Sequence, residues 1–335
     1  MKSNVEECLM IRLALIGFGH VARKHLKILS SIIPDGNFLI ISDFPLAKED
    51  NLSSLRYELC ADLSRLEEFN PHGVIISTHA GKRLPAIAAC LKRHYPTFVE
   101  KPLAKSTSEF GDLLHKVGQT NGSFVVGYNL RFTKGLAIVR EVIKGNTIGN
   151  VMHVHGQVGS NLSKWRAGRQ IHSYPSLSRE RGGGVLRELS HEIDLLLTLF
   201  GGCDNAVGFT TNTYFNNSDV EDVAHLSLKL GKEKKWVVAS LVMDFVRWDD
   251  TRNLCIVGDE GTLDWDLNRG QVRHSDKTNK TVELLNSKDD LEKSYFRMWR
   301  SFLAKEFEKF CNFDDALACL ELIELIEKQN GEMKR

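Results

Sequence analysis

Two short segments of this chain carry side chains that suit proton and hydride chemistry. Lys101 stands in the tripeptide Glu-Lys-Pro, and Glu188 and His191 stand in a run that begins with three glycines at Gly182. A histidine titrates near neutral pH and can accept the proton of a carbinol hydroxyl, while a lysine ammonium can stabilise the developing alkoxide. These residue types predict an active site with Lys101, His191 and Glu188 as its catalytic groups.

Each of these assignments has a simpler structural alternative. Glu188 precedes His191 by three residues, so on one continuous helix the two side chains share a face and can pair without any catalytic role. Lys101 can equally be a surface lysine before a proline. Asp194, three residues beyond His191, either contacts a substrate or bonds a nearby backbone group, as aspartates often do.

A glycine-rich loop supplies the means of binding a dinucleotide. The sequence Gly-Phe-Gly-His-Val-Ala starts directly after an apolar run at residues 11–16. The first glycine permits a tight turn, the second lets the backbone approach a pyrophosphate, and the alanine lets the next helix pack on the strand. The amino end of that helix then attracts the phosphates. The cofactor-binding residues predicted from this loop are Gly17, Gly19, His20, Val21 and Ala22.

Asp43 indicates which dinucleotide is bound. It ends the second apolar strand, 24 residues after Gly19, close to the spacing at which an acidic residue accepts hydrogen bonds from the adenosine ribose. A carboxylate there repels a 2′-phosphate, and no basic residue follows before Lys48. We therefore predict NAD as the cofactor in preference to NADP, with a surface turn as the alternative role of Asp43. Thr78, after the third apolar strand, is a further predicted cofactor contact.

The order of elements predicts an α/β protein with two domains. In residues 1–127, short apolar strands alternate with helices, which is typical of the doubly wound parallel sheet of a Rossmann dinucleotide-binding domain. In residues 128–335, longer strands of alternating polarity indicate an α/β domain with an open, mainly antiparallel sheet, which binds the substrate and forms the oligomer. Strands are predicted at 11–16, 38–42, 73–77, 97–99, 123–127, 151–158, 206–214, 223–230, 235–245 and 253–257. Helices are predicted at 21–33, 84–93, 109–117, 134–144, 185–200, 295–310 and 314–328.

Composition excludes several classes of protein. The 335 residues are 42% hydrophobic and carry a net charge of +1, so no overall field draws the chain to nucleic acid or an anionic membrane. No apolar run approaches the ~20 residues that a membrane span needs. The first ten residues lack the apolar core of a signal peptide. Seven cysteines without a Cys-x-x-Cys pair indicate reduced thiols in the cytoplasm, and scattered histidines predict no metal site.

A long polar segment, residues 160–181, precedes the glycine run and is predicted to line the substrate site. Its aromatic side chains offer flat faces to a sugar or base, and its four arginines offer paired donors to phosphate or carboxylate. A solvated loop or a subunit contact is the alternative. The segment predicts a substrate that is a sugar with an anionic group, above all a nucleotide sugar. The residues expected to contact the substrate are Trp165, Arg166 and Tyr174, with further arginines at Arg169, Arg179 and Arg181.

Taken in order along the chain, the motifs resemble the glucose-fructose oxidoreductase and inositol dehydrogenase family (Gfo/Idh/MocA). The resemblance runs from about residue 11 to 330 and includes the glycine loop, Glu-Lys-Pro and the glycine run with His191. Tyr-Asn-Leu-Arg-Phe from Tyr128 and Val-Gly-Asp-Glu-Gly-Thr-Leu from Val257 are further matches.

The resemblance implies an NAD(P)-dependent oxidoreductase with its active site between the two domains. It implies that Lys101 contacts the substrate hydroxyl and the nicotinamide ribose, and that His191 is the acid/base. We accordingly assign Glu100 to the cofactor and Asn129, Arg131 and Asp194 to the substrate.

Two positions depart from the family pattern. The family has an Asp where this chain has Glu188, which moves the carboxylate by about one bond length, ~1.5 Å. The family also has a Pro after the Thr at position 78 and a His five residues after that Thr, where this chain has His79 and Arg83. Glu188 either replaces the Asp or alters the pairing with His191.

Two other functions for such a chain remain open. One is an NAD-dependent glycosidase that oxidises its substrate transiently, and the other is a non-catalytic dinucleotide-binding regulator. Retention of Lys101 and His191 favours an enzyme over a regulator. The alternating strand at residues 235–245 leaves apolar side chains on a second sheet face, which predicts a homodimer or homotetramer.

Overall fold

The computed structural model describes residues 10–43, 52–111, 122–165, 174–215, 218–232 and 235–333. The chain divides into two compact units. The first unit comprises Met1–Thr78, Lys82–Glu100 and Asp112–Val125, and the second comprises His79–Gly81, Lys101–Gly111 and Val126–Arg335. Lys101 therefore belongs to the second unit although it precedes residue 127. The sequence analysis placed a single boundary between residues 127 and 128, and a single boundary cannot describe units built from several segments.

The first unit is built on a six-stranded sheet with strand order β3-β2-β1-β4-β5-β6. The pairings from β3 through β5 are parallel, which confirms the predicted doubly wound sheet. Its strands are β1 (Arg12–Ile16), β2 (Asn37–Ile41), β3 (Arg56–Cys60), β4 (Gly73–Ile76), β5 (Thr97–Val99) and β6 (Phe124–Val126). Its helices are α1 (His20–Ile32), α2 (Arg65–Phe69) and α3 (Leu84–Lys92).

Burial explains which of these elements the sequence reveals. The central strands β1, β2 and β4 are almost wholly buried, so they appear in the sequence as continuous apolar runs. The edge strand β3 has the sequence Arg-Tyr-Glu-Leu-Cys and is largely exposed, and α2 is a short helix of five residues. Neither carries a strong hydrophobic pattern, and neither is predicted from the sequence.

The second unit contains an eight-stranded sheet with strand order β14-β13-β12-β11-β7-β10-β9-β8. Its strand pairings are antiparallel except that of β7 with β10, which confirms the predicted mainly antiparallel sheet. The first five strands along the chain are β7 (Val151–Gly159), β8 (Cys203–Thr211), β9 (Val223–Lys232), β10 (Lys235–Asp244) and β11 (Thr251–Gly258). Three more are absent from the prediction, namely β12 (Gly261–Asp266), β13 (Gln271–Asp276) and β14 (Thr281–Asn286).

Strand register separates the two faces of this sheet. Leu241 of β10 lies opposite Gly156 of β7, which lies opposite Leu254 of β11, and this row belongs to the buried face. The opposite face carries large apolar side chains that are exposed. They are Val207, Phe209, Trp236 and Val238, with exposures between 37% and 65%.

The helices of the second unit correct two predictions. The segment predicted as one helix at 185–200 forms two, α5 (Val185–Glu188) and α6 (His191–Phe200), and the helix predicted at 295–310 is α7 (Asp290–Leu303). The predicted helix at 134–144 is α4 (Lys134–Lys144), and the last helix is α8 (Phe313–Met333). Of the helix predicted at 109–117, the described part belongs to the 3₁₀ turn Thr107–Glu109 and its end, and residues 112–117 lie outside the described residues.

Within the described residues, no helix is both long and apolar enough to span a membrane. Nor do the described His, Cys, Asp and Glu side chains include a group of three or more that is arranged to hold a metal ion.

Candidate functional site

Lys101 and Glu188, 87 residues apart in the chain, are in direct contact. The Lys101 Nζ donates to the Glu188 backbone carbonyl at 2.7 Å and to Glu188 Oε2 at 3.2 Å. The other carboxylate oxygen, Oε1, accepts a hydrogen bond from Ser176 Oγ at 2.8 Å. The ammonium and the carboxylate are therefore held in place by several bonds, and their side chains are only 15% and 24% exposed.

This contact coincides with the break between α5 and α6. In a continuous helix the Glu188 carbonyl would accept the backbone N–H of Glu192, four residues on. Here it accepts the Lys101 ammonium, and the Glu192 N–H is bonded instead to the Leu189 carbonyl at 3.4 Å. The prediction that Glu188 and His191 share a face of one continuous helix is therefore wrong, because the helix ends at Glu188 and a new one begins at His191.

His191 is buried against an aromatic ring. It is 8% exposed, and its ring meets the edge of Tyr128 with centroids 5.4 Å apart and planes at 89°. The Tyr128 hydroxyl lies 3.2 Å from Ser190 Oγ and 3.4 Å from Cys319 Sγ. Burial raises the pKa of the Tyr128 phenol well above its ordinary value and that of the Cys319 thiol to about 12. Both groups stay protonated at neutral pH, so the wall behind His191 is uncharged.

Glu192, the residue after His191, forms a second buried ion pair. Its Oε1 lies 2.8 Å from the Nε of Arg252, at the start of β11, and Glu192 is only 4% exposed. Burial raises the pKa of the Glu192 carboxyl, and the positive charges of Arg252 and Lys101 act in the opposite direction. Sequence analysis did not assign either residue a function. One signal in the sequence could have identified Arg252. It stands two positions before Leu254, so a charged residue continues the apolar row on one face of a strand.

Arg131 and Asp194, both predicted to contact substrate, are bound to each other. Arg131 Nη2 donates to Asp194 Oδ1 at 2.6 Å, and Nε lies 3.1 and 3.0 Å from its two oxygens. The remaining Nη1 donates to Asp315 Oδ2 and to the Phe310 carbonyl. The sequence analysis considered a substrate or a nearby backbone group as the partner of Asp194. The partner in the structure is instead the side chain of Arg131. Asn129 is likewise buried, and its Nδ2 donates to Ser294 Oγ at 2.8 Å.

The glycine loop has the shape that the dinucleotide motif requires. Gly17 has a φ of 83°, and a Cβ at this position would lie 2.7 Å from Thr78 Cγ2 and 2.8 Å from the Thr78 nitrogen. A Cβ on Gly19 would meet no atom within 4 Å, and no side chain caps the amino end of α1. His20, Val21 and Ala22 form its first turn.

Two buried hydroxyls belong to residues that border the same turn, because Thr78 contacts Gly17 and the Ser77 N–H donates to the Ile16 carbonyl. Ser77 Oγ and Thr78 Oγ1 follow β4 and form no hydrogen bond with any residue that the structure describes. Buried hydroxyls are normally satisfied by a partner. Together with the tight approach of Gly17 and the uncapped helix, these atoms fit a bound dinucleotide.

The Glu-Lys-Pro segment is anchored within the first unit through Glu100. Its Oε1 lies 2.7 Å from Nε2 of His25, a fully buried residue of α1. Arg83 donates from Nε to the Thr78 carbonyl at 2.9 Å and from Nη1 to the Glu100 carbonyl. Arg83 thus ties the end of β4 to Glu100, although the sequence marked it only as a departure from the family pattern. His25 was not singled out, and its position in the first helix gave no sign of a partner 75 residues away.

The other predicted contacts are placed as follows. Asp43 is exposed and lies two residues after β2. Tyr174 is buried, and Trp165 donates from its indole nitrogen to Ser160 Oγ at 3.0 Å. Arg179 bonds the Asp219 side chain and carbonyl, so its guanidinium is already partly used. Arg166 and Arg169 lie outside the described residues.

The fold and the glycine loop define a protein of the NAD-binding Rossmann class. Residues 11–128 match the family described as "Oxidoreductase family, NAD-binding Rossmann fold". Residues 136–264 match the family described as "GFO/IDH/MocA C-terminal domain". The two matches cover more than half of the chain, which therefore belongs to the Gfo/Idh/MocA oxidoreductase family, as the sequence motifs predict.

Individual relatives are distant. An uncharacterized oxidoreductase of Streptococcus pneumoniae is 23% identical over 231 residues, which are 65% of this chain and 60% of that protein. Inositol 2-dehydrogenase 2 of Paenarthrobacter aurescens is 21% identical, over 57% of this chain and 56% of its own length. The matched part of this chain thus spans less than two thirds of either curated relative.

A solved structure agrees over nearly the full length. Levoglucosan dehydrogenase in complex with NADH superposes with a TM-score of 0.80, covering 96% of this chain and 97% of its own, at 16% sequence identity. At that identity the agreement shows a common fold.

The geometry of Arg131 and Asp194 predicts a large contribution to stability. Asp194 is 1% exposed, so Asp194→Ala leaves a buried guanidinium without its main partner, which costs about 3–5 kcal/mol. We expect urea denaturation to report that loss in the free energy of unfolding. The matched control is Asp204→Ala, which removes the exposed Asp204–Lys229 pair and should cost about 1 kcal/mol or less. Equal losses in the two variants would contradict the structural assignment.

Proposed function

We propose that this protein is an NAD-dependent oxidoreductase that transfers a hydride between nicotinamide and a carbinol carbon of a sugar or nucleotide sugar. The observation that carries the proposal is the cluster of Lys101, Glu188 and His191 in the second unit. An ammonium fixed by a carboxylate and a backbone carbonyl stands beside the helix that begins with a buried histidine. This is the set of groups that alcohol oxidation requires.

Each residue has a separate task in the proposed reaction. A bound nicotinamide would supply the hydride acceptor for oxidation and the hydride donor for reduction. His191 removes the hydroxyl proton as the carbon–oxygen double bond forms, and returns it in the reverse direction. Lys101 donates a hydrogen bond to the same oxygen and stabilises its negative charge. Glu188 orients the ammonium through the contact that it already makes.

The proposed substrate site is narrower than the one expected from sequence. We leave Arg131 and Asp194 out of the proposed site because they are bound to each other in a buried pair. We leave out Asn129 because its amide is buried and bonded to Ser294. The contact of these three residues with substrate stays a prediction. Trp165 and Tyr174 are kept because they belong to the segment that leads into α5 and Glu188. Arg166 is kept as a prediction.

The proposed cofactor site lies within the first unit, where the family match places the NAD-binding fold. The residues that would hold the dinucleotide are those of the glycine loop and first turn of α1, with Thr78 and Glu100. We keep the functional division at residues 127 and 128 as a proposal. Lys101 directly follows Glu100 in the chain, so the segment that serves the cofactor continues into the catalytic cluster.

The catalytic assignment is tested by removing its two polar groups. Lys101→Ala and His191→Ala should each lower kcat by about 10²-fold or more, the usual scale for acid/base groups, while NAD binding persists. Steady-state formation of NADH with a panel of sugars and nucleotide sugars, together with calorimetric titration of NAD, measures both quantities.

Lys92→Ala, which removes an exposed lysine at the end of α3, is the matched control and should leave kcat unchanged. Activity within a few-fold of the unmodified protein in either site variant would refute the assignment. A protein that binds NAD but shows no turnover would be a regulator. Sugar cleavage without net NADH formation would identify the transient-oxidation glycosidase.

Cofactor preference provides an independent test of the first unit. NADH should bind more tightly than NADPH, because the Asp43 carboxylate repels the 2′-phosphate. Asp43→Ala should narrow that difference when both dinucleotides are titrated calorimetrically. Asp35→Ala, an exposed acidic residue in the turn before β2, serves as the control. Equal or tighter binding of NADPH to the unmodified protein would reject the role of Asp43.

We also propose that the exposed sheet face forms a homodimer or homotetramer. Val207 and Phe209 lie on β8, Trp236 and Val238 lie on β10, and the two strands flank β9 in the sheet. Exposed apolar patches of this kind commonly meet across a two-fold axis.

Light scattering at micromolar concentration tests the assembly. The unmodified protein should be a dimer or tetramer, and Phe209→Glu should shift it toward monomer by placing a charge in the apolar face. Tyr57→Glu, on the exposed edge strand β3 of the other unit, should have no such effect. A monomeric unmodified protein would dispose of the proposal.

A further inference from the structure

Arg252 occupies an unusual place in the second sheet. On β11 it is two residues before Leu254 and four before Ile256, so the three side chains belong to the same face. Leu254 and Ile256 are 4% and 0% exposed. A charged residue that continues a buried row requires a partner or a function, because arginine is rarely buried unless paired.

The partner of Arg252 uses only part of its guanidinium. Glu192 Oε1 lies 2.8 Å from Arg252 Nε. Among the described residues, no other hydrogen bond or ion pair is formed by this guanidinium, and its side chain keeps an exposure of 18%. The contact is an ion pair without hydrogen-bond geometry, since neither Glu192 oxygen forms a hydrogen bond among the described residues. The two terminal nitrogens thus remain as donors, in a group that the charge of Glu192 attracts at its inner nitrogen.

Two more deeply buried arginines among the described residues are occupied at their terminal nitrogens. Arg131 donates from them to Asp194 and Asp315, and Arg187 donates to Glu327 and to the Lys105 carbonyl. These guanidinium groups hold structure together. Arg252 differs, since its carboxylate partner Glu192 lies at Nε, and Nη1 and Nη2 have no partner among the described residues.

The position of Arg252 connects it with the catalytic cluster. Glu192 directly follows His191, and both Arg252 and Lys101 act electrostatically on the Glu192 carboxylate. The guanidinium is therefore attached, through one buried side chain, to the residue next to the proposed acid/base.

We propose that Arg252 is a substrate-binding residue that recognises an anionic group of the sugar, a carboxylate or a phosphate, and that Glu192 is its positioning residue. Two parallel N–H groups match the two oxygens of either anion. The proposal rests on the proposed function, because it places the ligand beside the residues assigned to hydride transfer. The sequence analysis expected an anionic sugar from the arginines of residues 160–181. Arg252 is a candidate contact for that anion among the described residues.

Three sugars that share one ring test the proposal. D-Glucose, D-glucuronate and D-glucose 6-phosphate differ at carbon 6, which is neutral, a carboxylate or a phosphate ester. Their dissociation constants are measured calorimetrically with NAD present at saturation. At least one anionic sugar should bind tenfold or more tightly than glucose, and which one does so separates a sugar acid from a sugar phosphate.

Variants of Arg252 and Glu192 then test whether this pair causes the preference for anionic sugars. Arg252→Gln alone leaves the buried Glu192 without its cation, so the double variant Arg252→Gln/Glu192→Gln removes both charges together. The double variant should bind all three sugars with equal dissociation constants. Glu192→Gln alone should reduce the ratio of anionic to neutral sugar affinity, which a purely structural role would not do.

The controls separate the possible failures. Arg269→Gln, an exposed arginine in the turn between β12 and β13, should keep the full preference, and NAD binding should be the same in every variant. Equal binding of all three sugars to the unmodified protein, binding of none, or a preference that survives in the double variant would overturn the role of Arg252. Anion preference without NADH formation from any sugar would reject the proposed oxidoreductase activity and leave the Arg252 site standing.

Discussion

The bond between the Lys101 ammonium and the Glu188 backbone carbonyl is the interaction on which the proposed site depends. It uses the carbonyl that would otherwise continue the helix, and α5 ends at that residue. A new helix then begins at His191, with Glu192 and Asp194 in its first turn. One side chain from the Glu-Lys-Pro segment is therefore bonded at the point where α5 ends, shortly before the histidine helix starts.

Buried ion pairs fix the surroundings of that helix. Asp194 of α6 is bonded to Arg131, which also reaches Asp315 at the start of α8. Arg187 of α5 is bonded to Glu327, further along α8. Pairs of this kind contribute little net stability compared with apolar packing, but loss of one partner is costly. Their geometry restricts how α5, α6 and α8 can pack, so Glu188 and His191 are carried by a constrained framework.

The first unit shows a different kind of constraint, in which backbone shape matters more than charge. Gly17 approaches Thr78 too closely for any side chain, and the start of α1 has no side-chain cap. The buried hydroxyls of Ser77 and Thr78 form no hydrogen bond with any of the described residues. His25 and Arg83 hold Glu100 from two directions, which fixes the residue immediately before Lys101.

Local sequence was sufficient wherever the decisive signal was local. The apolar runs of β1, β2 and β4 predicted a covered parallel sheet, because a strand buried on both faces must be apolar throughout. The glycine loop was recognisable because tight turns and phosphate approach demand specific residue types at fixed spacing. The motif order was enough to identify the family. Weakly patterned elements such as β3 and β12 were missed, since an exposed or short strand carries little hydrophobic periodicity.

Only the tertiary structure decided which side chains meet. The sequence determined that Lys101, Glu188, His191, Arg131 and Asp194 were chemically notable, but it could not pair Lys101 with Glu188 or Arg131 with Asp194 across 87 and 63 residues. The pairing of Glu192 with Arg252 could not be predicted either. Helix periodicity and strand alternation tell which residues share a face, but not which other element packs against that face. Contacts between distant segments arise from packing and register, which is why the sequence could single out these residue types but not their electrostatic arrangement.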